Sequence, residues 1–66
     1  MTREDAYVAM TNGEKITHQY FSSNEYYELK GCIIYGEDGV NHTSVFWSEA
    51  QNNWRADGWE IYNSNI

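Results

Sequence analysis

The chain has 66 residues, ten acidic side chains against four basic ones, a formal net charge of −6, one cysteine and no proline. Those figures exclude an internal disulfide framework and a zinc cluster of the usual cysteine–histidine spacing. They also leave no basic footprint for displacing counterions from a long polyanion, so no direct contact with nucleic acid is expected.

No stretch approaches the ~20 apolar residues of a membrane span, and residues 1–13 lack the apolar segment of a secretory signal. A lone cysteine agrees with a reducing compartment, and the expected location is cytoplasmic. At this length residues 1–66 form a single domain. A chain of about 60 residues buries only about 60% of its unfolded surface, which is marginal without staples. What remains is an aromatic core or association of copies. Three tryptophans, six tyrosines and two phenylalanines supply the first, and a homo-oligomer, dimer or tetramer, is expected for the second.

In chain order, residues 2–12 read as a helix. Thr2 followed by Asp5 is a variant of the capping box, and Glu4 suits the positive helix end. Ala6, Ala9 and Met10 make one apolar stripe, and Asn12-Gly13 is a stop. Residues 15–21 read as a strand, with Ile16, His18 and Tyr20 on one face and Thr17, Gln19 and Phe21 on the other. Ser22-Ser23-Asn24 is a turn cluster. Residues 25–30 read as a second strand that puts Tyr26 and Tyr27 on opposite faces. Gly31 is a tight turn or a bulge. Residues 32–35 read as a central strand, apolar on both faces, which would bury Cys32 and leave it inert. Gly36-Glu37-Asp38-Gly39 is a hairpin turn, and residues 40–43 would pair back as a further strand. Ser48 followed by Gln51 suits one short helical turn, Ala56-Asp57-Gly58 is another turn, and residues 59–62 read as a last strand. The fold class is therefore α+β: a short N-terminal helix packed on a small antiparallel, meander-like sheet of about four to five strands.

Chemistry is scarce. His18 and His42 are the only histidines, and neither has metal-motif spacing to the other or to Cys32. His18 alternates with Ile16, which suits a partly buried histidine bonded to a neighbour. No Ser or Cys is placed beside a His and an orienting acid, and the glycines are hairpin glycines rather than a phosphate loop. Neither a cofactor, a metal nor an enzymatic activity is expected. Asn41-His42-Thr43 matches a glycosylation acceptor by chance.

The aromatics are the functional lead. Trp47 and Trp54 lie among Ser48, Glu49, Gln51, Asn52 and Asn53, where an aromatic ring can stack on a flat ligand while neighbouring amides and acids read its edge. Exposed aromatics also anchor protein interfaces. Trp59, two residues before Ile61 in a strand, reads as core. The candidate binding residues are Tyr20, Phe21, Trp47, Asn53, Trp54 and Asp57.

The order of these pieces resembles a known group. A short helix ends in Asn12-Gly13-Glu14-Lys15-Ile16-Thr17-His18, and Tyr20-Phe21 and two tyrosine-rich strands follow. An Asp38-Gly39 turn leads to the closing Asp57-Gly58-Trp59-Glu60-Ile61-Tyr62. Small bacteriophage proteins with a Gly-Lys-Lys-type strand entry and a terminal Asp-Trp-Glu-type strand share this plan, and the chain resembles the second Thoeris anti-defence family. Members of that family are oligomeric and sequester cyclic nucleotide immune signals. The resemblance implies a phage protein in the host cytoplasm that inhibits immunity by binding a small cyclic nucleotide. The acidic, aromatic character leaves a second reading open, an inhibitor that binds a host defence protein directly, as anti-CRISPR or anti-restriction proteins do, including by mimicry of nucleic acid.

Overall fold

The computed structural model describes residues 1–49 and 53–63. Helix α1 spans Arg3–Thr11. Strand β1 spans Ile16–His18, β2 Tyr27–Lys30 and β3 Ile33–Gly36. A one-turn helix α2 spans Thr43–Phe46, a 3₁₀ helix spans Trp54–Ala56, and strand β4 spans Trp59–Ile61. The protein is α+β, with one N-terminal helix on a four-stranded antiparallel sheet.

Local chemistry accounts for α1. Thr2 Oγ1 accepts from Asp5 N at 3.1 Å, satisfying one of the unpaired N–H groups at the helix start. Glu4 and Asp5 sit where the helix dipole favours negative charge. Gly13, at φ 90°, lets the chain leave the helix. Ala6 and Met10 face inward onto Ile16, Tyr27, Ile34, Phe46 and Trp59, which together form the core.

The strand order is β3-β2-β1-β4. The meander β1-β2-β3 is followed by a long connection that returns β4 to the free side of β1, the arrangement of a Greek key. The β1–β4 register pairs Ile16 with Ile61, Thr17 with Glu60 and His18 with Trp59. Both outer strands are partly covered. Along β3, His42 N donates to Ile34 O at 2.8 Å and Gly36 N to Val40 O at 3.0 Å. Along β4, Trp59 N donates to Met1 O at 3.1 Å.

Three sequence expectations need correction. Cys32 is exposed, not buried. The register sets Lys30 opposite Ile33, so Gly31 and Cys32 are the two residues of the hairpin loop. Gly31 supplies the positive φ of 64° that such a loop needs. Strand β3 then lies at the sheet edge, not its centre. Residues 40–43 form a single bridge, Tyr35 to Asn41, in place of a strand. The Asn41 side chain accepts from Thr43 N at 2.9 Å and turns the chain into α2. The one-turn helix Thr43–Phe46 was not anticipated from the sequence, and the turn expected from Ser48 to Gln51 runs outside the described residues.

The first strand is shorter than its pattern. Phe21 N donates to His18 O at 2.9 Å, so the chain turns directly after His18. Tyr20 and Phe21 therefore belong to a turn beside the 53–58 segment.

Candidate functional site

The site is organised around His18. This side chain is only 3% exposed. Its Nε2 lies 2.9 Å from Trp54 O and 2.7 Å from Asp57 O. Its Nδ1 accepts from Tyr20 N at 3.1 Å. Because Nδ1 is an acceptor, the ring proton belongs on Nε2, where it is shared between the two carbonyls. One imidazole thus ties the turn after β1 to both ends of the segment preceding β4.

Rings surround it. His18 lies 4.7 Å from both Trp54 and Trp59 in edge-on contacts, and 5.9 Å from Phe21. Trp59 is fully buried and its Nε1 donates to Arg55 O at 2.7 Å. Phe21 and Trp54 are half-buried against the same core. Gly58 completes the fit. Its φ is 93°, and a Cβ there would stand 2.8 Å from Gln19 Nε2 and 2.9 Å from His18 Nε2. A larger residue there would have to displace the Gln19 amide and the anchored His18 ring, at a φ that disfavours any side chain.

Outside this aromatic cluster is a shallow depression of about 400 Å³, lined by Gln19, Tyr20, Asn53, Trp54, Ala56, Asp57 and Gly58. Tyr20 stands at its rim, 70% exposed and 6.4 Å from the Trp54 ring. Asp57 Oδ1 accepts from Gly58 N at 2.7 Å and forms an ion pair at 3.8 Å with the Met1 ammonium, and the carboxylate is otherwise open to solvent. The Asn53 amide nitrogen donates to Glu49 Oε2 at 3.3 Å. That contact sets the amide orientation, since the reverse would face a carbonyl oxygen to a carboxylate. It leaves Asn53 Oδ1 buried without a hydrogen-bond partner.

Of the six candidate residues, Tyr20, Asn53, Trp54 and Asp57 converge on this depression. Phe21 stands behind it, packed on Trp54 and Trp59. Trp47 lies apart. It is 39% exposed, 5.3 Å from Tyr7 and 4.8 Å from Phe46, with the Arg3 guanidinium 5.5 Å from its ring. Sequence reasoning missed His18 as the organiser, although its alternation with Ile16 placed it inward. Gln19 and Gly58 were missed as lining residues, and the only signal for Gly58 was its place in the Asp57-Gly58 turn.

Arg3, Lys15 and Lys30 are engaged elsewhere, while Arg55 lies on a ring of the site. Arg3, buried in α1, donates to Ser48 O at 3.0 Å and pairs with Glu49. Lys15 lies over Tyr26, which packs at a tilt against Tyr62. Lys30 lines a second depression of about 380 Å³, formed with Glu28, Tyr35, Gly36, Glu37 and Gly39. Arg55 lies 4.5 Å over Trp54. Its charge is felt by Tyr27, whose hydroxyl burial pushes above the ordinary tyrosine range and Arg55 pulls back.

Two acids outside the depression are held below the usual carboxylate range. Glu25 is stabilised by hydrogen bonds from Ser22, and Asp38 by the Val40 N–H with help from His42. Both are fully exposed turn acids, which fits a structural role in their turns. Among the described residues no group of three metal-ligating side chains occurs, and no helix is long and apolar enough to cross a membrane.

No protein family, curated protein or solved structure matches this chain.

Proposed function

We propose that this protein is a non-catalytic inhibitor of the phage counter-defence class, acting in the host cytoplasm by binding a host defence protein directly. The observation that supports it is the convergence of Tyr20, Asn53, Trp54 and Asp57 on one shallow depression whose charged side chain is a carboxylate. A shallow concavity with aromatic walls and an acid suits an anchoring side chain of a protein partner. The net charge of −6 would speed encounter with a basic surface. No nucleophile in the depression has a base beside it, because both ring nitrogens of His18 are engaged by backbone groups. Binding without turnover is the chemistry these groups support.

Sequestration of a small cyclic nucleotide is the second reading. The aromatic faces of Tyr20 and Trp54 suit a base, and Asn53 and Asp57 suit its edge. On that reading the base, not the phosphates, occupies the depression, and cations would come from a second subunit of a homo-oligomer. Calorimetry against a panel of cyclic nucleotides, run beside pull-downs from host lysate, separates the two. Under the protein reading Asp57→Lys abolishes capture of one reproducible partner, and no nucleotide gives heat. Saturable nucleotide binding that Trp54→Ala reduces by roughly 1–3 kcal/mol would replace it with the second reading. Conversion of any ligand into product would overturn both.

A further inference from the structure

The depression is unbalanced in its hydrogen-bonding character. Asp57 offers a carboxylate whose Oδ1 already accepts from Gly58 N and faces the Met1 ammonium at 3.8 Å, leaving Oδ2 for a ligand. Asn53 Oδ1, in the wall, is a buried acceptor with no donor. Such an orphan is costly until a donor reaches it. Tyr20 and Trp54 add aromatic faces, which are negative at their centres. None of the described cationic side chains lines the depression. Every one of these features favours a ligand that is positive, flat and rich in N–H donors.

We propose that the depression is an arginine-binding site, which takes the guanidinium of an arginine side chain presented by a basic protein partner. This rests on the protein-binding reading given above and names the group that is bound. A guanidinium is planar and permanently charged, and carries five N–H donors in a fixed fork. It can stack against the Tyr20 ring while its edge donates to Asp57 Oδ2, and on a rotation of the Asn53 side chain it donates to Oδ1 as well. Arg55 lies 4.5 Å over Trp54 and already takes a face of that ring, so the wall open to stacking is Tyr20, which is 70% exposed. A lysine ammonium matches the charge but neither the plane nor the fork. A phosphate or carboxylate ligand would meet Asp57 with like charge.

The test uses the full chain and three capped peptides, Gly-Arg-Gly, Gly-Lys-Gly and Gly-citrulline-Gly. Citrulline keeps the shape of arginine but carries no charge. Titration by two-dimensional NMR reads millimolar affinities residue by residue. The expected result is saturable shifts at Gln19, Tyr20, Asp57, Gly58 and the Trp54 indole with the arginine peptide. Binding of the citrulline peptide should be at least tenfold weaker, and that of the lysine peptide several-fold weaker. Asp57→Asn keeps the oxygen that Gly58 N needs and removes the charge, so it should bring arginine down to the citrulline level. Glu37→Gln, in the other depression, should change nothing.

Equal binding of arginine and citrulline peptides overturns the proposal, as do shifts that map to Glu28, Tyr35 and Glu37, or no binding of any peptide. In those cases a partner capture that still depends on Asp57 leaves the protein reading standing with a different anchor. If capture also ignores Asp57, both fall.

Discussion

Replacing His18 with phenylalanine keeps the ring and its contacts with Trp54, Trp59 and Phe21 but removes both nitrogens. Trp54 O and Asp57 O lose a shared donor, and Tyr20 N loses its acceptor. The imidazole is 3% exposed, so water cannot take its place without opening the site. Counting the shared Nε2–H as one interaction and Nδ1 as a second, at about 1–2 kcal/mol for each orphaned set, the loss is roughly 2–4 kcal/mol. A chain of this length has about 3–10 kcal/mol of stability in total. The substitution therefore removes a large share of it. Urea unfolding followed by tryptophan fluorescence at one fixed protein concentration measures this, and the midpoint should fall by roughly 1–4 M for a slope of about 1–2 kcal/mol/M. His18→Gln, which keeps one donor and one acceptor on a longer stem, should recover part of the loss. A His18→Phe protein within about 0.5 kcal/mol of the parent, a change typical of an unimportant surface position, would refute the role given to this residue.

Gly58→Ala should destabilise by at least about 1 kcal/mol and weaken any ligand of the depression, because it combines a positive φ with a Cβ clash against Gln19 and His18; denaturation together with peptide titration checks it. Arg3→Lys keeps the charge but loses the fork that reaches Ser48 O and Glu49, and should cost about 1–2 kcal/mol. Native labelling of Cys32 by a thiol reagent should be rapid, since the side chain lies in an exposed hairpin loop. Stability should fall as pH rises above 10.0, the ordinary tyrosine value. Burial raises the Tyr27 pKa in the folded state, so the unfolded chain loses its proton first and is favoured; alkaline denaturation of Tyr27→Phe should lack this component. Light scattering at micromolar concentration should show a dimer or tetramer, and a stable monomer would count against the oligomer proposal.

The legible parts of the sequence were those whose signals are local. Thr2 with Asp5, and Asn12-Gly13, delimit the helix within a residue. Asp38-Gly39 and Asp57-Gly58 mark real turns. The apolar run Cys32-Ile33-Ile34-Tyr35 misled, because periodicity cannot tell the last residue of a loop from the first of a strand. Only the pairing of Lys30 with Ile33 decides that, and register is a property of two strands. The site was legible in its residue types but not in its membership. Tyr20 and Trp54 are brought together by the return of β4 to β1, a long-range event that no local pattern encodes. Trp47 looked equivalent to Trp54 in sequence, yet α2 carries it to the Arg3 and Tyr7 side of the molecule.

The position of β4 beside β1 also bears on how the site is tied to folding. Residues 16–18 pair with residues 59–61 across about forty intervening residues, a non-local pairing whose loop must close before its contacts are gained. Without that closure β1 keeps an unpaired edge that ends at His18, and the imidazole lacks the Trp54 and Asp57 carbonyls. One event therefore seals the sheet and makes the depression, and a change that frees β4 removes the site and bares a strand edge to other chains together.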